Sequence, residues 1–122
     1  MEKRIIDDVL SVFKDNLKEV KYAENRYILT MPFFYNNGNP MTVGIVINSN
    51  DDYILTDMKD TFASLPDDKS SDFIMAKAQK ILDKYEINLC DNEICIRCNK
   101  ENLLAVFNRF VHVLILIDNL IV

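Results

Sequence analysis

Residues 26–57 read RYILTMPFFYNNGNPMTVGIVINSNDDYILTD, and their spacing decides the fold. Tyr27, Leu29, Met31, Phe33 and Tyr35 recur with a period of two, and so do Met41, Val43, Ile45 and Ile47. That period puts alternate side chains on one face of a strand, whereas a helix spaces its apolar positions by three and four. Between the two runs stands Asn36-Asn37-Gly38-Asn39-Pro40. Gly38 tolerates positive φ, the asparagines tolerate it better than most residues, and Pro40 fixes φ, so this knot is the bend of a hairpin. A second turn at SNDD, residues 49–52, leads into YILTD, and the stretch predicts a three-stranded antiparallel meander.

On the N-terminal side, residues 2–21 place Ile5, Ile6, Val9, Leu10, Val12, Phe13, Leu17 and Val20 at helical spacing, which predicts an amphipathic helix. After Asp57 the pattern changes. DTFASL reads as a helical turn headed by Asp60 and stopped by Pro66, and SSDFIMAKAQKILDKYEI as a helix capped by Ser70, Ser71 or Asp72. INLCDNEICIRC, residues 87–98, predicts a hairpin turning at Asp91-Asn92 or Asn92-Glu93. From about Lys100 a long apolar helix runs to the C-terminus. The expected class is α+β in the order αβββαββα, as a single domain over residues 1–122; the chain's 122 residues are too few for two independent cores.

Composition narrows the function. A 49% apolar and 27% charged chain is that of an ordinary globular protein. Asp7, Asp8, Lys14 and Asp15 break any secretory core near the N-terminus, and Asn108, Arg109, His112, Asp118 and Asn119 interrupt the apolar C-terminal run, so neither export nor a membrane span is expected. Three cysteines fit a reducing cytoplasm. The formal charge of −5 is concentrated: residues 51–72 hold seven aspartates against Lys59 and Lys69, and the rest of the chain balances. Such a field disfavours nucleic acid and favours a basic protein surface. It marks Asp51, Asp52, Asp57, Asp60, Asp67 and Asp68 as partner-binding candidates, with Phe62 and Leu65 as an apolar centre.

The candidate chemistry is thin. Cys95 and Cys98 have the C-x-x-C spacing, but on a strand they point to opposite faces, while Cys90 and Cys95 face one side of the hairpin. His112 is the only histidine, and its apolar neighbours place it in a core or interface without a catalytic partner. With Gly38 and Gly44 the only glycines, a phosphate-cradling loop is excluded. No cofactor and no metal is expected. The final helix carries apolar residues around most of its circumference, so Phe107, Phe110, Val113, Leu114 and Ile117 are candidates for a homodimer interface.

Two resemblances add to this reading. Over residues 32–65, Pro32, Phe33, Tyr35, Asn37, Gly38, Asn39 and Pro40, followed by Tyr53, Leu55, Thr56 and Asp57, resemble the bacterial and phage family called domain of unknown function 1828. Two departures stand out: the family usually has a glycine where this chain has Lys59, and often an aspartate at Asn39. The resemblance implies a small cytoplasmic protein of bacteria, phages or other mobile elements, and no particular reaction. The element order also resembles the restriction-nuclease-like core, with Asp57-Met58-Lys59 as its acid-spacer-lysine triplet and Asp51 or Asp52 as an extra oxygen for magnesium, although Asn39 stands where the upstream acid is expected. The leading expectation is a non-enzymatic module, of phage or mobile-element origin, that inhibits a host defence protein through an acidic surface. The alternative is a divergent or inactive magnesium-dependent nuclease.

Overall fold

The computed structural model describes residues 18–23, 25–49, 51–65 and 69–121. Among them, six strands form one antiparallel sheet: β1 (Lys18–Ala23), β2 (Arg26–Phe34), β3 (Pro40–Ser49), β4 (Asp52–Thr56), β5 (Asn88–Cys90) and β6 (Glu93–Cys98), with two helices, α1 (Lys69–Lys84) and α2 (Leu103–Asp118). The spatial order is β1-β2-β3-β4-β6-β5. The meander therefore has four strands rather than three, and the β5–β6 hairpin extends the same sheet by pairing β6 with β4.

The alternation read from residues 26–57 governs one face. Tyr27, Leu29 and Met31 of β2, Val43 and Ile45 of β3, and Tyr53 and Leu55 of β4 are buried there. Phe33, of the same period, is 37% exposed, because β2 carries two extra residues against β3 between Thr30 and Phe34. The helices supply the other half of the core. Ala78 and Leu82 from α1 and Phe107, Phe110, Val113, Leu114 and Ile117 from α2 join the sheet residues in one cluster. The hairpin turns at Asp91 (φ 52) and Asn92 (φ 64), the two left-handed positions of a tight two-residue turn.

Three expectations are corrected. The helix over residues 2–21 fails at its C-terminal end, because Lys18–Ala23 is a strand with Val20 opposite Ile28; the rest of that segment lies outside the described residues. The free edge of β2 offers a row of backbone donors and acceptors, and pairing with it outweighs a helical spacing that local propensity alone would favour. The last helix is shorter and less uniformly apolar than expected. It has 16 residues and exposes Leu104, Ala105, Asn108, Arg109 and His112 along one side. Finally, the five residues assigned to a homodimer interface (Phe107, Phe110, Val113, Leu114 and Ile117) are at most 1% exposed within a single chain, so the chain's own sheet occupies that stripe. Among the described residues no helix is long and apolar enough to cross a membrane.

Burial of this kind is expected to appear as stability. Phe110→Ala should lower the unfolding free energy by about 3–5 kcal/mol, as large core truncations do, while Leu104→Ala on the exposed side should change it by under about 1 kcal/mol. Urea denaturation of the two variants checks the contrast.

Candidate functional site

Continuing the alternation of β4 past Tyr53 and Leu55 brings Asp57 inward, and its side chain is fully buried. A buried carboxylate is tolerated only when several donors replace its water. Here Oδ1 accepts from the backbone N–H groups of Lys59 and Ile94, both at 2.9 Å, and Oδ2 accepts from Thr61 N–H at 3.2 Å. The Thr61 hydroxyl also bonds to this carboxylate and shares a 3.0 Å hydrogen bond with the buried Tyr35 hydroxyl. The Asp57 N–H donates to the Ile94 carbonyl, so the side chain and backbone of one residue both fasten the end of β4 to β6. Burial pushes the carboxyl above its ordinary value while the donors pull it back, and burial raises the Tyr35 phenol well above normal.

Thr56 completes the turn. Its hydroxyl accepts from Met58 N–H at 2.9 Å and donates to the Glu93 carboxylate. Met58 (φ 56) and Lys59 (φ 68) adopt the left-handed conformation, which side chains disfavour and glycine does not.

The turn at residues 57–65 forms one wall of a cleft of ≈ 510 Å³, lined by Asn36 and Asn37 from the β2–β3 turn, Ser64 and Leu65, Ser70 and Ile74 of α1, and Asp118 and Ile121 at the end of α2. Asn36 and Asp118 join two of these walls. Asn36 N–H donates to Asp118 Oδ2, and Asn36 Nδ2 donates to the Asp118 carbonyl, both at 2.9 Å. Asp118 is 7% exposed, and burial pushes its carboxyl up while the Asn36 N–H counteracts. Position 118 was not among the residues singled out by sequence. An acid in the last turn of an apolar helix opposes the helix dipole, and that was the available signal.

The expected acidic face is not assembled. Asp51 accepts from Lys100 N–H at 3.0 Å, and Asp52 pairs with Arg97 at 2.9 Å, at one end of β4. The five-residue strand β4, about 17 Å long, runs from them to the turn at the other end. There Asp57 and Phe62 are interior, Asp60 is exposed and accepts from the Thr42 hydroxyl at 3.3 Å, and Leu65 lines the cleft. Asp67 and Asp68 lie outside the described residues. The acid-spacer-lysine triplet does not converge either: Lys59 Nζ pairs with Asp91 at 3.2 Å, and the Asp57 oxygens are taken by backbone donors. Among the described residues no group of three or more His, Cys, Asp or Glu side chains is arranged to hold a metal.

Cys98 is buried in the core, while Cys95 lies on the opposite face within reach of Cys90, the exposed thiol. Burial pushes the Cys95 and Cys98 thiols up to about 11. His112, expected in a core or interface, instead sits on the exposed side of α2, edge-on to Tyr85 with ring centroids 5.8 Å apart. The residues that organise this end and that sequence reasoning did not connect are Asn36, Thr61 and Asp118.

Asp57→Ala leaves the buried N–H groups of Thr61 and Ile94 and the part-buried N–H of Lys59 without their acceptor, and it should destabilise the fold by roughly 3–5 kcal/mol in chemical denaturation. The thiols set an alkaline limit. Because their folded values are raised from 9.0 to about 11, the unfolded chain releases these protons first, so their contribution is complete below pH 9 and is lost as pH rises through about 11. Denaturation midpoints should fall over that window, and Cys98→Val should flatten the fall.

No curated protein and no solved structure matches the chain. A family model does match, over residues 31–117, a span that includes the Asp57 network, most of the cleft and nearly all of α2. By that match, the chain belongs to the family described as domain of unknown function DUF1828.

Proposed function

We propose that this chain is a non-enzymatic module that binds a basic protein surface with the end of the sheet where the β2–β3 turn, residues 57–65 and the cleft meet. The observation that carries this reading is an asymmetry of charge. At the far end Asp52 pairs with the Arg97 guanidinium and Asp51 accepts from the neutral Lys100 N–H, whereas Asp60, Asp72 and Asp118 pair with no cation among the described residues. At the end of β2 that leads into the β2–β3 turn, Phe34 is 69% exposed and Phe33 37% exposed. Exposed aromatic rings on a chain whose carboxylates are not all matched by cations suit a partner that is itself apolar and basic, since charge guides the encounter and ring burial supplies affinity.

The resemblance in residues 32–65 supplies the setting of this proposal: a cytoplasmic protein of a phage or other mobile element, acting on a host defence protein whose basic groove would otherwise hold nucleic acid. Its test is capture of partners from bacterial lysate at low and high salt. The double variant Asp60→Lys/Asp72→Lys and the single variant Phe34→Ser should each weaken capture by at least about tenfold, a change of about 1.4 kcal/mol. Asp51→Lys/Asp52→Lys at the far end should not. Equal capture by all four proteins, with the same salt dependence, overturns the reading.

A further inference from the structure

The hairpin that braces the Asp57 turn also brings two thiols together. In the register of β5 and β6, Cys90 stands opposite Glu93 and Asn88 opposite Cys95, so Cys90 and Cys95 are diagonal neighbours on one face. The Cys90 thiol lies within hydrogen-bonding reach of the Cys95 sulfur. Cys90 is exposed and Cys95 half-buried, whereas Cys98 points from β6 into the core on the opposite face. The pair that the fold assembles is therefore not the one with the C-x-x-C spacing. A disulfide needs its Cα atoms within about 7 Å, the near limit of the roughly 7–8 Å usual for diagonal neighbours. Among the described residues β5 is a three-residue strand at the edge of the sheet with β6 as its one strand neighbour, so the closing movement is local.

We propose that Cys90 and Cys95 form a dithiol site for low-molecular-weight disulfides of the glutathione class, and that exchange closes a reversible Cys90–Cys95 bond across the hairpin. Exposed Cys90 acts first. Its thiolate attacks one sulfur of the small disulfide, forming a mixed disulfide and releasing one small thiol, which takes up the proton that Cys90 gave to water. Cys95 then gives up its proton and attacks Cys90 Sγ. The mixed bond breaks, the Cys90–Cys95 bond forms, and the second small thiol leaves with that proton. The protein loses two electrons and two protons, and the small disulfide gains both. Burial pushes the Cys95 thiol up to about 11, which suits it to the second step, where Cys90 Sγ is held against it, and not to the first. The closed ring contains Asp91, Glu93 and Ile94, which bind Lys59, Thr56 and Asp57. Oxidation thus staples the hairpin whose residues hold the Asp57 turn.

The test is incubation of the reduced full chain with glutathione disulfide under native conditions, followed by alkylation in denaturant, cleavage before Asp91 and after Arg97, and mass spectrometry. Those cuts place the three cysteines on separate peptides. The expected main product is the Cys90 peptide linked to the Cys95 peptide, with Cys98 alkylated and the linkage reversed by a dithiol reductant. Cys95→Ser removes the second step and should accumulate the Cys90–glutathione adduct at least about tenfold above the unsubstituted chain. Cys90→Ser, at an exposed position, should leave Cys95 unmodified, and Cys98→Val should leave the linkage intact. Four results would each overturn the proposal: a Cys95–Cys98 linkage as the main product, a Cys90 adduct that persists in the unsubstituted chain, modification of Cys95 in Cys90→Ser, or no linkage at a glutathione disulfide concentration that oxidises the same chain in urea.

Discussion

The carboxylate of Asp57 holds together the end of the molecule on which the rest is arranged. Its bonds to the N–H groups of Lys59, Thr61 and Ile94 fasten three points of backbone around one charge. In water those donors and that carboxylate would each be solvated; inside the protein they satisfy one another, and any one left alone would make the site unfavourable. The consequence spreads outward. Ile94 belongs to β6, so β4 and the hairpin beyond it are locked into one sheet, and Thr61 carries the connection on to Tyr35 at the end of β2.

That scaffold sets the cleft. With residues 57–61 fixed, the following turn, bonded from Ala63 N–H to the Asp60 carbonyl and from Leu65 N–H to the Phe62 carbonyl, presents Ser64 and Leu65 as a wall. The opposite side is drawn in by Asn36, which binds the side chain and the backbone of Asp118 at once. The two aspartates show how environment divides one residue type into two roles. Asp57 is enclosed by donors from three segments of backbone, and Asp118 binds Asn36 and lines the cleft.

The stretch within the family match that holds Tyr35, Thr56 and Asp57 gains a physical meaning from this. Tyr35, Thr56 and Asp57 serve the network, and the turn at residues 36–39 is closed by Tyr35 N–H to the Asn39 carbonyl and Gly38 N–H to the Tyr35 carbonyl, with Gly38 at φ 91. A sequence pattern that looks like a metal motif, an acid two residues before a lysine, is here a backbone clamp followed by a left-handed turn that sends Lys59 out to Asp91. Charge alone did not distinguish these possibilities, because an aspartate that binds a partner and one that binds backbone amides are the same letter.

Sequence by itself determined the elements whose signals are local: the period of two in residues 26–57, the turn chemistry of residues 36–40, the hairpin bend at Asp91-Asn92, and the helical spacing of α1. These depend on neighbours within a few positions, so propensity and periodicity carry them. Only the tertiary structure decided that residues 18–23 would complete a sheet edge, that the apolar stripe of α2 would be covered by its own chain, and that the aspartates would separate into paired, buried and open ones. Those outcomes hang on partners far away in the chain: Asp57 and Ile94 are 37 residues apart, and Asn36 and Asp118 are 82. A contact at that separation forms only once the sheet and both helices have closed around it, and nothing in the local order of residues specifies it.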